Sequence, residues 1–114
     1  MSSTGPFDVT VLVVNALYEF SYNGGGLSLR CKGDMHGVPP GGMTLSGSLV
    51  FSALPKNGES TAFGKGHLRT SGVGKITFDL EYGPTATLTV TSASPAPSNE
   101  LVVSGTGFWK VEQS

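Results

Sequence analysis

Glycine and proline interrupt this chain so often that only one stretch, 7–23, runs for more than ten residues without either. That spacing works against helices, because an interior glycine costs about 1 kcal/mol and an interior proline about 3 kcal/mol. The one long stretch opens FDVTVLVV, an alternating and β-branched run, so it too begins as a strand. Only a short helical turn over 16–20 has room to form. With 114 residues of which 38% are apolar, the chain builds one core and is too hydrophobic to stay disordered. Residues 1–114 are therefore read as a single β domain, with 1–6 and 112–114 expected to fray.

The remaining runs supply six more strands: 26–32, 43–53, 61–70, 75–82, 85–91 and 101–111. Period-two alternation assigns their faces. Leu27, Leu29 and Cys31 share one face, as do Met43, Leu45, Leu49 and Phe51, and as do Ile76, Phe78, Leu80 and Tyr82. About seven strands at this spacing predict an antiparallel β-sandwich. Splitting 7–22 at Asn15 would add an eighth strand and allow a small closed barrel instead.

Keeping apolar residues on one face fixes the parity of strand pairing, because a slip of one residue inverts every side chain. A turn at 71–73 then places Leu68 opposite Ile76, Gly66 opposite Phe78 and Gly64 opposite Leu80. A turn at 83–85 places Leu80 opposite Leu88 and Phe78 opposite Val90. The outer face would carry Lys65 beside Asp79 and His67 beside Thr77, with a threonine row at 85, 87, 89 and 91.

Charge and cysteine content remove several function classes. A formal net charge of −1 with scattered basic residues gives no footprint for nucleic acid or an anionic membrane. No segment is apolar for long enough to insert into a bilayer as a helix. The lone Cys31 excludes an internal disulfide, and residues 1–6 lack the charged start and apolar run of a secretory signal. A cytoplasmic location is the expectation, with a mature secreted form left open. No GxSxG, CxxC or HExxH spacing occurs, and the glycine runs precede strands, so no cofactor is implied. A metal would have to gather His36, Asp34, Cys31 and His67. The chain also lacks the Cys…Trp…Cys arrangement of immunoglobulin domains and the Gly-x-Trp of lipocalins, and no family is assigned.

If successive strands reverse direction, the two longest connections, 33–42 and 93–99, leave from one end together with the turn at 70–74. Long, proline-stiffened loops at one rim of a rigid β scaffold are common binding sites. The ligand-binding candidates there are Asp34, Met35, His36, Ser98 and Asn99. Lys65, His67 and Arg69, at period two, are a second candidate set, for an anion, and their bland explanation is a charged edge that discourages strand pairing. Tyr18, Phe20 and Tyr22 share one face, fit for a core or for a contact surface.

Three function classes follow. The first is a non-enzymatic binding module that recognises a carbohydrate or a protein surface through the 33–42, 70–74 and 93–99 loops, as a possible homo-oligomer. The second is a barrel that carries, cyclises or isomerises a hydrophobic small molecule. The third is a structural or assembly protein.

Overall fold

The β-branched opening run ends at Val14, where Asn15 and Ala16 reverse the chain with φ of 51° and 63°. Two left-handed residues in succession give the tight turn whose twist matches a β-hairpin. The 7–23 stretch is therefore two strands and no helix. The computed structural model describes residues 3–114 and contains β1 (Phe7–Val14), β2 (Leu17–Gly24), β3 (Leu27–Asp34), β4 (Met43–Phe51), β5 (Gly58–Leu68), β6 (Gly74–Leu80), β7 (Thr85–Ser94) and β8 (Leu101–Gln113). Residues 3–6 carry no regular structure. The expected fraying of residues 1–2 lies outside the described residues. At the other end β8 continues through Gln113, whose N–H donates to Asn57 Oδ1 (2.6 Å).

The strands close into an antiparallel barrel in the order β1-β2-β3-β8-β5-β6-β7-β4, with β4 returning to β1. The closed eight-stranded form thus replaces the two packed sheets of the main sequence reading. Two long-range pairings cause this. β8 is held between β3 and β5, and β4 between β1 and β7, which leaves neither half with the free edges of a sandwich. No helix long and apolar enough to cross a membrane occurs among the described residues.

Alternation sends one face of every strand inward. Trp109 sits at the centre with no exposure, edge-on to Phe20 (5.4 Å between ring centroids) and to Phe51 (6.3 Å), and tilted against Phe78 (4.9 Å). Its Nε1–H donates to Tyr18 Oη at 2.9 Å, so the buried indole donor is satisfied. Two bare backbone positions make room for these rings. A Cβ on Gly64 would come within 2.9 Å of the Phe78 ring, and one on Gly107 would strike Tyr18.

The expected faces hold for Leu27, Leu29, Cys31, Met43, Leu45, Leu49, Phe51, Ile76, Phe78 and Leu80, all buried. The pairing offsets differ. Leu68 pairs with Gly74, Gly66 with Ile76 and Gly64 with Phe78, a shift of two residues from the expected register. The cause is a longer turn, 69–73, closed by the Arg69 N–H to Val73 carbonyl bond (2.8 Å) with Gly72 at φ 87°. Between β6 and β7 the shift is four: Ile76 pairs with Leu88 and Phe78 with Ala86. β6 stops at Leu80, so Tyr82 leaves the ladder and is 73% exposed. In both places parity survives, because only even slips keep the apolar face inside.

Because directions alternate around the barrel, the 15–16 turn and the 35–42, 69–73 and 95–100 connections leave from one end, called the upper end below. The 25–26, 52–57 and 81–84 connections, residues 3–6 and the C-terminus lie at the lower end.

Candidate functional site

The upper wall around β5 brings together residues from both candidate sets. On β5 the inward positions are Ala62, Gly64, Gly66 and Leu68, so Phe63, Lys65 and His67 point out to solvent. Pairing with β6 sets Lys65 beside Thr77 and His67 beside Lys75. Pairing with β8 sets Lys65 beside Ser104 and His67 beside Val102. β3 then overshoots its own ladder, and His36 bridges Ser104 from the far side, with backbone bonds of 2.7 and 3.1 Å. A row Thr77–Lys65–Ser104–His36 therefore crosses the outer wall.

The sequence pairings of Lys65 with Asp79 and His67 with Thr77 are corrected here. The two-residue shift puts Asp79 opposite Phe63 instead, where its carboxylate accepts from the Thr85 hydroxyl (3.1 Å). Among the described residues no carboxylate lies within 4.0 Å of Lys65, His67 or Lys75. Lys75 and His67 are direct cross-strand neighbours, an arrangement that is repulsive when both carry charge. β5 is also flanked on both sides, so protection of a free edge does not account for its cations.

Asp34 and His36 form the margin of this wall on its β3 side. Asp34 Oδ1 accepts the Thr106 backbone N–H at 2.8 Å and stands 3.5 Å from His36 Nε2. The His36 side chain is largely exposed and that of Asp34 partly so, and this pair adds little stability. Met35 between them faces inward and is buried, and its N–H donates to the Ala16 carbonyl (2.8 Å); it is a core residue and not part of an exposed site. Ser98 and Asn99 are exposed on the 95–100 connection beyond the upper margin, and Arg69 is exposed in the 69–73 turn. The structure therefore joins Asp34 and His36 to Lys65 and His67 through β8. Ser98 and Asn99 stay apart on the loop rim.

Sequence reasoning missed Lys75, Thr77, Ser104 and Phe63. Their outward parity was readable, but their neighbours depend on offsets that local patterning leaves open. The four residues that a metal would have to gather do not converge: Cys31 lies inside the barrel, whereas Asp34, His36 and His67 are outside it. Burial pushes the Cys31 thiol above its ordinary pKa, which makes it a small core hydrophobe.

Two further surface features lie on the β1–β2–β3–β8 side. A groove of about 630 Å³ is lined by Leu12, Val14, Leu17, Asp34 and Phe108 among others, with Leu17 and Phe108 more than 60% exposed. A larger groove of about 880 Å³ runs lower down past Asp8, Thr10, Glu19, Ser21 and Arg30. Comparison with family models, with curated proteins and with solved structures returns no match for this chain.

Proposed function

We propose that this protein is a non-enzymatic binding module whose upper wall holds an acidic carbohydrate, a saccharide bearing carboxylate or sulfate. The observation that carries this reading is the group of basic side chains at Lys65, His67 and Lys75, set on strands interior to the sheet and, among the described residues, left without carboxylate partners. Unpaired lysines on one face of a sheet attract an anion and gain nothing from each other. Phe63, 49% exposed and two residues before Lys65 on the same face, offers an aromatic surface for a sugar ring. The hydroxyls of Thr77 and Ser104 flank Lys65 and suit sugar hydroxyls. His36 and Arg69 stand at the margins, and the exposed Ser98 and Asn99 extend the rim formed by the 33–42, 70–74 and 93–99 loops. The packed interior around Trp109 favours a surface site over a lumen for a hydrophobic molecule. A buried, unreactive Cys31 is compatible with a cytoplasmic setting.

The test is calorimetric titration with sulfated and uronic-acid oligosaccharides beside neutral ones of equal length. Acidic saccharides should bind, more weakly as salt rises, and Lys65→Ala with Lys75→Ala should reduce affinity by about tenfold or more, about 1.4 kcal/mol. Equal binding of neutral sugars, or none by any acidic one, would overturn the reading.

Homo-oligomerisation has its own support in the apolar corner of Leu12, Val14, Leu17 and Phe108. Glu19 and Lys32, direct cross-strand partners, border it with opposite charges, which a second copy related by two-fold symmetry could meet in reverse. Sedimentation of Leu17→Asp beside the unaltered chain checks it; a monomer in both cases would remove it.

A further inference from the structure

The barrel is closed by unequal seams. β1 pairs with β4 over seven positions and β2 pairs with β3 over eight, but β1 and β2 pair over only three, ending at Leu12 opposite Glu19. Below that point the hairpin partners separate. The turn at Asn15 and Ala16 makes Val14 and Leu17 the closing pair, and antiparallel hydrogen bonding then alternates along both strands. The backbone N–H and C=O groups of Asp8 and Thr10 on β1, and of Ser21 and Asn23 on β2, are therefore directed into the gap. All four residues are exposed, and the 880 Å³ groove opens beside Asp8, Thr10 and Ser21. At its foot, Phe7 and Tyr22 rest against each other with ring centroids 4.9 Å apart.

We propose that this lower β1–β2 seam is a strand-acceptor site, taking an extended peptide segment with a basic side chain near Asp8. The occupant is specified by what is unpaired. Backbone donors and acceptors repeating along a strand edge are matched by another extended backbone. The only charged side chain among the four gap residues is Asp8, which has no cation within 4.0 Å among the described residues. Val9 and Phe20, buried beneath the seam, give an apolar floor for the inward side chains of the added strand. The Phe7–Tyr22 contact acts as a latch that parts as the segment enters. This site is separate from the cationic wall on β5 and does not depend on it.

Amide hydrogen exchange on the full chain tests the seam, with and without an alternating Val-Lys octapeptide. In the free protein the Thr10, Ser21 and Asn23 amides should exchange at least a hundredfold faster than those of Leu29 and Ile76. The peptide should slow them, a Val-Glu octapeptide should bind about fivefold more weakly, and methylating alternate peptide amides should abolish binding. Slow exchange at the seam, equal binding of the methylated peptide, or protection elsewhere would overturn the proposal. So would protection that rises with protein concentration alone, which would make a second copy the occupant.

Discussion

Phe108 and Trp109 are neighbours on β8, yet one is 64% exposed and the other fully buried. The same contrast runs round the barrel. Among the described residues the inner face holds an aromatic cluster and no buried charged side chain, and the charges lie on the outer wall and the end loops, several of them unpaired. The difference teaches that the inner face carries the packing while the outer face is left free for the recognition proposed above. A change on one face should leave the property of the other nearly untouched, which makes the division testable residue by residue.

The largest effect belongs to the centre. Trp109→Ala should destabilise the fold by about 3–5 kcal/mol, since it removes the ring that Phe20, Phe51 and Phe78 pack against. Phe108→Ala, one residue away, should stay within about 0.5 kcal/mol. Urea denaturation of both variants measures the contrast, and comparable losses would erase it. Tyr18→Phe comes next. It strands the Trp109 Nε1–H without its acceptor, at a cost of about 1–3 kcal/mol, although the aromatic volume is unchanged.

Alkaline pH probes the same interior without mutation. Burial pushes both Tyr18 and Cys31 above their ordinary values of 10.0 and 9.0. The folded state holds both groups protonated while the unfolded chain can release the protons, so stability is full at neutral pH. It should decline as pH rises past 9.0 and then 10.0, where unfolded-state ionisation begins. Thermal melts between pH 7 and 11 should show that fall (about two pH units beyond the thiol's ordinary range), and a flat profile would count against a dry interior. Native Cys31 should likewise resist thiol reagents until the protein unfolds.

The strands and their inward faces were legible because side-chain alternation is a local property. Leu27, Leu29 and Cys31 could be placed together from the sequence alone, and so could Ile76, Phe78 and Leu80. Closure was legible as the alternative reading, because Asn15 splits 7–22 into two strands and gives the eighth. The strand order was not, because nothing near β8 announces that β3 and β5 will lie on either side of it. Offsets failed for a related reason. A turn at 69–73 and one at 71–73 keep the same parity and bury the same residues, so patterning cannot choose between them. That two-residue difference moved Asp79 from Lys65 to Phe63 and left the cations of the site without the carboxylate that sequence reading had given them. The rim of loops was visible from strand reversal. The joining of His36 to Lys65 required Ser104, a residue with no distinguishing pattern of its own.

The smallest expected effect is the most discriminating between the two faces. Lys75 stands directly opposite His67 and two positions along from Thr77, the partner of Lys65. If the wall exists for recognition, these cations contribute nothing to folding and repel one another slightly. Lys75→Thr, which keeps β propensity, should then be neutral or stabilising by a few tenths of a kcal/mol. Any gain should shrink as salt screens the repulsion. The same substitution should weaken an acidic saccharide, so stability and affinity move in opposite directions. A loss above about 1 kcal/mol on denaturation would reverse the inference. Lys75 would then be holding the barrel together, and the outer wall could no longer be separated from the architecture it covers.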